Sequence, residues 1–234
     1  MIESCASCVV RDRTLCSSLT NHELAILHRV GRRQRLAPGA TLMWAGGDNL
    51  VCGNLLSGVL KLVASTTGGR EQIVGLLFPA DFVGRPYAEQ SEFTVTAVND
   101  VELCVFPRAP FEKALENHSQ MEHMLLKRTL ATLDQARNQM LVLARSSASE
   151  RLARFLVDML RRAQTTGCLP TVDRVSTIDL PLSRGQIADV LGLTIETVSR
   201  QITQLHRDGI IDMAGARSVT IVDLPGLTAR AGGA

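Results

Sequence analysis

The sequence predicts an α+β chain: an N-terminal antiparallel β-roll of jelly-roll type, a long helix, and a C-terminal winged helix-turn-helix. Three observations predict it. Between Gln34 and Phe106, short apolar alternations are broken by Gly, Pro and Asp, the mark of short strands closing into a roll. Within 110–145, Leu126, Leu130, Leu133 and Met140 recur at four- and three-residue steps, with Arg137 at the intervening place, which is a helix with one apolar seam. From Leu182 to Arg207, two short helical patterns flank Gly192, the layout of a helix-turn-helix.

Composition bounds the reading. The 234 residues are 45% hydrophobic, enough for one large domain or two modest ones, and the net charge is only +2. Residues 146–234 hold ten Arg and nine Asp or Glu. Any DNA affinity must therefore come from local placement of Arg184, Arg200, Arg207 and Arg217, and from doubling in a dimer. No run approaches the roughly 18–20 apolar residues of a membrane span, and MIESCASCVVRDRTLC has no signal-peptide core. The expected location is the cytoplasm, where six Cys point to metal or redox chemistry, not to disulfides.

In chain order, Cys5, Cys8 and Cys16 come first, spaced C-x2-C-x7-C in a segment with few apolar residues. A tight CxxC lets two sulfurs meet one metal centre, and a third can close round it. Zinc takes four ligands and iron–sulfur clusters usually four thiolates, so the spacing does not choose between them and one ligand is missing. Cys52, Cys104 and Cys168 compete for that place. In VELCVF, Val101, Leu103 and Val105 alternate toward the roll interior, which turns Cys104 outward with Glu102 and Phe106. An outward thiol there can be reached by the N-terminal segment. Before the roll, Thr20 and Glu23 make a capping box for a short helix in 19–29. Beside the seam of the long helix stand Lys127, Arg128, Asp134 and Arg137, as expected of a marginal interface; a core helix lying on the roll gives the same periodicity.

Ser147 and Glu150 form another capping box after the Ser146–Ser149 boundary. In the helix-turn-helix, Ser183 with Gln186 caps the first helix, and Thr194 caps the second. Ile195, Val198, Ile202 and Leu205 fall on one face of the second helix. Glu196, Ser199, Arg200, Thr203 and Arg207 fall on the other. Glu can accept from cytosine N4, and Arg can bond guanine in bidentate fashion. Ile210–Met213 and Val219–Val222 flank a turn with Arg217 at its tip, a wing with a phosphate contact. The expected divisions are a Cys-rich segment 1–18, a roll 19–109, the long helix 110–145, the winged domain 146–223 and a disordered tail 224–234.

These motifs carry a resemblance. GLTIETVSRQITQLHRDGII resembles the recognition helix of the CRP/FNR family of bacterial transcription regulators, and Glu196-x-x-Ser199-Arg200 is similar to its FNR branch. C-x2-C-x7-C resembles the cluster segment of the FnrL-type alphaproteobacterial regulators and departs from the enteric FNR spacing, whose second gap is shorter. LAPGATLMWAGGD and LLSGVLKLV resemble the β-roll of the cyclic-nucleotide-binding-domain superfamily. VELCVFPRAPFE resembles the place where the FNR branch keeps its fourth Cys. The resemblance implies an oxygen-sensitive [4Fe–4S] cluster on Cys5, Cys8, Cys16 and Cys104 and a homodimer through Leu126, Leu130, Leu133 and Met140. It also implies RNA polymerase as partner and a palindrome similar to TTGAT-N4-ATCAA in double-stranded DNA. DNA contacts are expected from Arg184, Thr194, Glu196, Ser199, Arg200 and Arg217. Gly84-Arg85-Pro86 and Ser91-Glu92 stand where nucleotide-binding members hold the cyclic phosphate, and an acidic residue there argues against a cyclic nucleotide. A thiol- or zinc-responsive regulator of the same fold is the alternative. An enzyme on a metal-holding barrel would need inward ligands, yet His22, His28, His118, His123 and His206 all lie outside the expected strands.

Overall fold

The computed structural model describes residues 5, 8–65, 68–69, 71–165, 176–215 and 217–232. It divides into two compact units, Met1–Asp134 and Gln135–Ala234.

Among the described residues of the first unit, eight strands make two antiparallel sheets. One has the order β1 (Arg32–Leu36), β8 (Val101–Pro107), β3 (Val51–Ser57), β6 (Phe82–Val83); the other has β2 (Thr41–Met43), β7 (Thr94–Ala97), β4 (Leu60–Ser65), β5 (Glu71–Leu77). Period-two alternation decides which residues fill the space between them. Leu55, Leu60, Val95, Val101, Leu103 and Val105 form that core. The alternate residues of β3 and β8 face outward, and their register pairs Cys52 with Phe106 and Asn54 with Cys104.

The outward face is itself buried. Leu15 and Leu19 of the N-terminal segment pack there with Leu24 and Leu27 of α1 (Asn21–Val30), Phe111 and Leu115 of α2 (Arg108–Asn117), and Met121 at the start of α3 (Ser119–Arg145). Phe111 stacks on Phe82 and Phe106, with ring centroids 5.4 and 5.7 Å away. Each such side chain contributes about 1.5–3 kcal/mol on burial, so this second layer clamps the N-terminal segment to the sheet. Few apolar residues stand near the first three Cys. Val10 and Leu15 suffice, because both are almost fully buried. The capping box of α1 forms, with Thr20 N–H donating to Glu23 at 2.6 Å and Glu23 N–H to Thr20 Oγ1 at 3.4 Å.

The helical stretch expected over 110–145 is two helices. His118, at φ −132° and ψ 84°, separates α2 from α3. Along α3, every residue from Thr129 to Asn138 is exposed.

In the second unit, the Ser147–Glu150 box opens α4 (Ala148–Thr165). Helices α5 (Arg184–Leu191) and α6 (Ile195–Arg207) lead into the wing strands β10 (Ile211–Met213) and β11 (Ser218–Ile221). A third strand that the sequence reading did not anticipate, β9 (Ser176–Asp179), pairs with β11. Residues 224–232 are not the tail expected from sequence. Asp223 caps α7 (Leu224–Arg230), Leu227 is fully buried, and Arg230 reaches Asp208 at 2.8 Å. Pro225 stands in the first turn of this helix, where a Pro loses no helical hydrogen bond.

Candidate nucleic-acid interface and thiol cavity

The helix-turn-helix is set by its caps. Gln186 N–H donates to Ser183 Oγ at 3.3 Å and Ser183 N–H to Gln186 Oε1 at 2.8 Å. Gly192 turns the chain at φ 60° and ψ 43°, a left-handed conformation that costs a residue with a Cβ about 1–2 kcal/mol. Thr194 then accepts the N–H of Thr197 at 3.2 Å. Helix α6 buries Val198, Ile202 and Leu205 and exposes Glu196, Arg200, Thr203 and Arg207, with Ser199 half-buried between them. Ile195, expected on the buried face, is 52% exposed. It is the first helical residue, and its side chain lies against Gly185.

Its own backbone N–H, and then the Thr194 side chain, hold the Glu196 carboxyl below its ordinary range, so near neutral pH it is an acceptor only. Arg184, from the first turn of α5, donates to Ser199 Oγ at 3.3 Å. That bond brings Arg184 onto the α6 surface. Arg217 is exposed at the wing, its carbonyl accepting from Leu180 N–H at 2.8 Å.

In the first unit, Cys5, Cys8, Cys16 and Cys104 line one cavity, together with His28 and Asn54. Cys5 Sγ lies 3.3 Å from His28 Nδ1, and Asn54 Nδ2 donates to Cys16 Sγ at 3.8 Å. Burial is the main force on the thiols. It pushes Cys5 and Cys16 up, and it pushes Cys104 up to about 12 with help from the charges of Cys16, Cys5 and Cys8. A bound cationic centre reverses that penalty, since coordination deprotonates a thiol outright. Among the described residues, no three His, Cys, Asp or Glu converge closely enough to hold a single metal ion. Four thiols spread round one cavity nevertheless match the donor set of a four-iron cluster. Cys52 is fully buried elsewhere on the sheet, its thiol pushed up to about 12 chiefly by burial. Cys168 lies outside the described residues.

Three residues not expected at the cavity complete this region; from sequence, Arg128 is read only as a charge beside the seam of the long helix and His28 only as lying outside the strands. His28 and Asn54 touch the sulfurs, and Arg128 of α3 donates to the carbonyls of Ala80, at 3.1 Å, and Arg13. Asn54 had a sequence signal, being a polar residue in phase with buried Cys52. Arg128 and His28 had none beyond their presence on helices.

A family model described as a Crp-like helix-turn-helix domain matches residues 150–230, and one described as a cyclic nucleotide-binding domain matches residues 33–118. The transcriptional activator protein FnrL of Cereibacter sphaeroides is 38% identical over 99% of this chain and 93% of its own length. The nitrogen fixation regulation protein FixK of Bradyrhizobium diazoefficiens is 37% identical over 88% of this chain and 85% of its own. The chain belongs to the CRP/FNR family. Among solved structures, FixK2 from Bradyrhizobium japonicum superposes with a TM-score of 0.77 at 29% identity, over 86% of this chain and 96% of that one. This CRP/FNR protein stands on the FNR branch and is a DNA-binding transcription regulator, not an enzyme. At the positions expected to face a cyclic phosphate, Arg85 is paired with Glu92 at 3.1 Å, and Ser91 Oγ donates to the carbonyl of Phe93 at 2.7 Å.

Proposed function

We propose that this regulator is a cytoplasmic oxygen sensor. It holds a [4Fe–4S] cluster on Cys5, Cys8, Cys16 and Cys104, dimerises through α3 while the cluster is intact, and binds a palindrome similar to TTGAT-N4-ATCAA. One observation carries the reading: the three N-terminal Cys and Cys104 of β8 line the same cavity. The cluster, when bound, supplies an oxygen-labile link among these sulfurs. The rest is done by the chain. Three Cys from the N-terminal segment and one from the roll hold that segment against the sheet, and Arg128 bonds the segment's Arg13 carbonyl from α3.

Helix α3 supports the dimer half of the proposal. Among the described residues, Leu126, Leu130, Leu133 and Met140 are large apolar side chains of α3 left 55, 51, 43 and 70% exposed. A second copy is the partner that matches a self-complementary seam. Two copies of α6 would then read half-sites about one helical turn apart, with Glu196, Ser199 and Arg200 at base edges and Arg184, Thr194 and Arg217 positioning the protein on the duplex. RNA polymerase is the partner proposed for the activating step, in keeping with relatives named as transcriptional activators. The pairing of Arg85 with Glu92 argues against a cyclic nucleotide as effector.

A visible absorption spectrum of protein prepared without oxygen, with iron and acid-labile sulfide assays, tests the cofactor. A brown protein containing both is expected. A colourless protein that holds zinc and no sulfide would replace this reading by the thiol- or zinc-responsive one.

A further inference from the structure

Asn54 is misplaced for a structural residue. It lies in β3 between Gly53 and Leu55, is only 3% exposed, and occupies an outward register position whose neighbours, Cys52 and Leu56, are apolar and buried. A buried polar group is expected to be fully hydrogen-bonded. Yet Asn54 Oδ1 has no partner among the described residues, and its Nδ2 bonds only a sulfur, Cys16 Sγ. Cross-strand register sets Asn54 directly opposite Cys104, and the same side chain lines the cavity with all four Cys. A leucine would fill this place at no polar cost, so the amide's one evident use is toward the sulfurs.

We propose that Asn54 is a positioning residue for the sulfur ligands: its carboxamide donates N–H to Cys16 Sγ and holds that sulfur on the cavity it shares with Cys104. The inference rests on the cluster reading above. Hydrogen bonds to an ionised acceptor are about twice as strong as neutral ones, so this bond strengthens when Cys16 becomes a thiolate ligand.

The test is iron loss to excess chelator without oxygen, followed by visible absorption, in wild type, Asn54→Leu and Asn54→Asp. Both variants keep the side chain's size and remove its N–H donor. Partners of metal ligands typically account for 10- to 100-fold in metal retention, so both should lose iron at least about tenfold faster than wild type. The melting temperature of metal-free Asn54→Leu should equal or exceed that of wild type, because the variant deletes an unpartnered buried oxygen. A structural role would lower that melting temperature in step with iron retention. If Asn54→Leu does not fold, Asn54→Asp carries the comparison. Wild type that takes up no iron and sulfide overturns the cluster reading and the inference with it. Wild type that loads, beside variants that keep iron equally well, overturns the inference alone.

Discussion

Arg184 and Ser199 are joined across the helix-turn-helix: the guanidinium from the first turn of α5 donates to the hydroxyl of half-buried Ser199 in α6, at 3.3 Å. The support helix thus orders a residue of the reading helix. The two arginines of this surface should consequently behave differently. Arg200, exposed and free to meet a base edge, should cost about 1–3 kcal/mol per half-site when replaced by Ala and relax specificity at one position. Arg184→Ala should weaken binding to all sequences alike and reduce the salt slope by about one per half-site. Titrating both variants against TTGAT-N4-ATCAA and scrambled DNA at several salt concentrations separates them. Equal binding of Arg200→Ala and wild type to this site would contradict the assignment.

The thiol cavity predicts a four-against-two split among the cysteines. Cys5→Ser, Cys8→Ser, Cys16→Ser and Cys104→Ser, prepared without oxygen, should each lose iron and sulfide. Cys52→Ala and Cys168→Ser should retain them. Ala is the better probe at Cys52, which is fully buried and where a hydroxyl would be left unpaired. Full iron content in Cys104→Ser would place the fourth ligand elsewhere.

Arg128 sits in α3 between the exposed Leu126 and Leu130 and bonds backbone carbonyls of both the N-terminal segment and the roll. Arg128→Met keeps the length of the stem and removes both bonds. Iron content should be unchanged while the dimer dissociates at lower dilution, as sedimentation of the anaerobic protein can read. A variant that dimerises as wild type does would show that Arg128 carries nothing from the cavity to α3.

Asp208 anchors α7 by accepting from Arg230 and Gln204, each at 2.8 Å, and the Arg230 bond chiefly holds its carboxyl below the ordinary range. A depressed carboxylate contributes its stability above the unfolded value, about pH 4, and loses it as pH falls through the lower folded value. Asp208→Asn should therefore melt lower at neutral pH and approach wild type as pH drops below about 4. Melting curves that stay parallel across that range would contradict the assignment.

Much of this was legible because local chemistry and tertiary structure agree. Three capping boxes, the Gly192 turn and the inward alternation of Val101, Leu103 and Val105 are short-range signals, and all three kinds appear in the fold. Cys104 was legible for the same reason, since alternation alone turns it outward. The rest depended on neighbours distant in sequence. Leu227 is a helix residue because α7 is packed, not because LPGL favours helix. Leu15 is buried only once α1 and α2 lie over the sheet, and Val10 only where Leu56 and Ala80 meet it. Asn54 and His28 acquire meaning from strand register and helix placement, which no local spacing encodes.

The central claim is that an intact cluster sustains the dimer and the dimer sustains operator binding. The seam on α3 is short and broken by Arg137, so a few kcal/mol of ordering is enough to move it from mostly monomer to mostly dimer. Light scattering and operator binding, measured side by side on one anaerobic preparation before and after air, test this most directly. The account predicts a dimer with tight binding before air, and a monomer with steeply weaker binding once the visible absorption has gone. A dimer that persists and binds equally well without the cluster would contradict it.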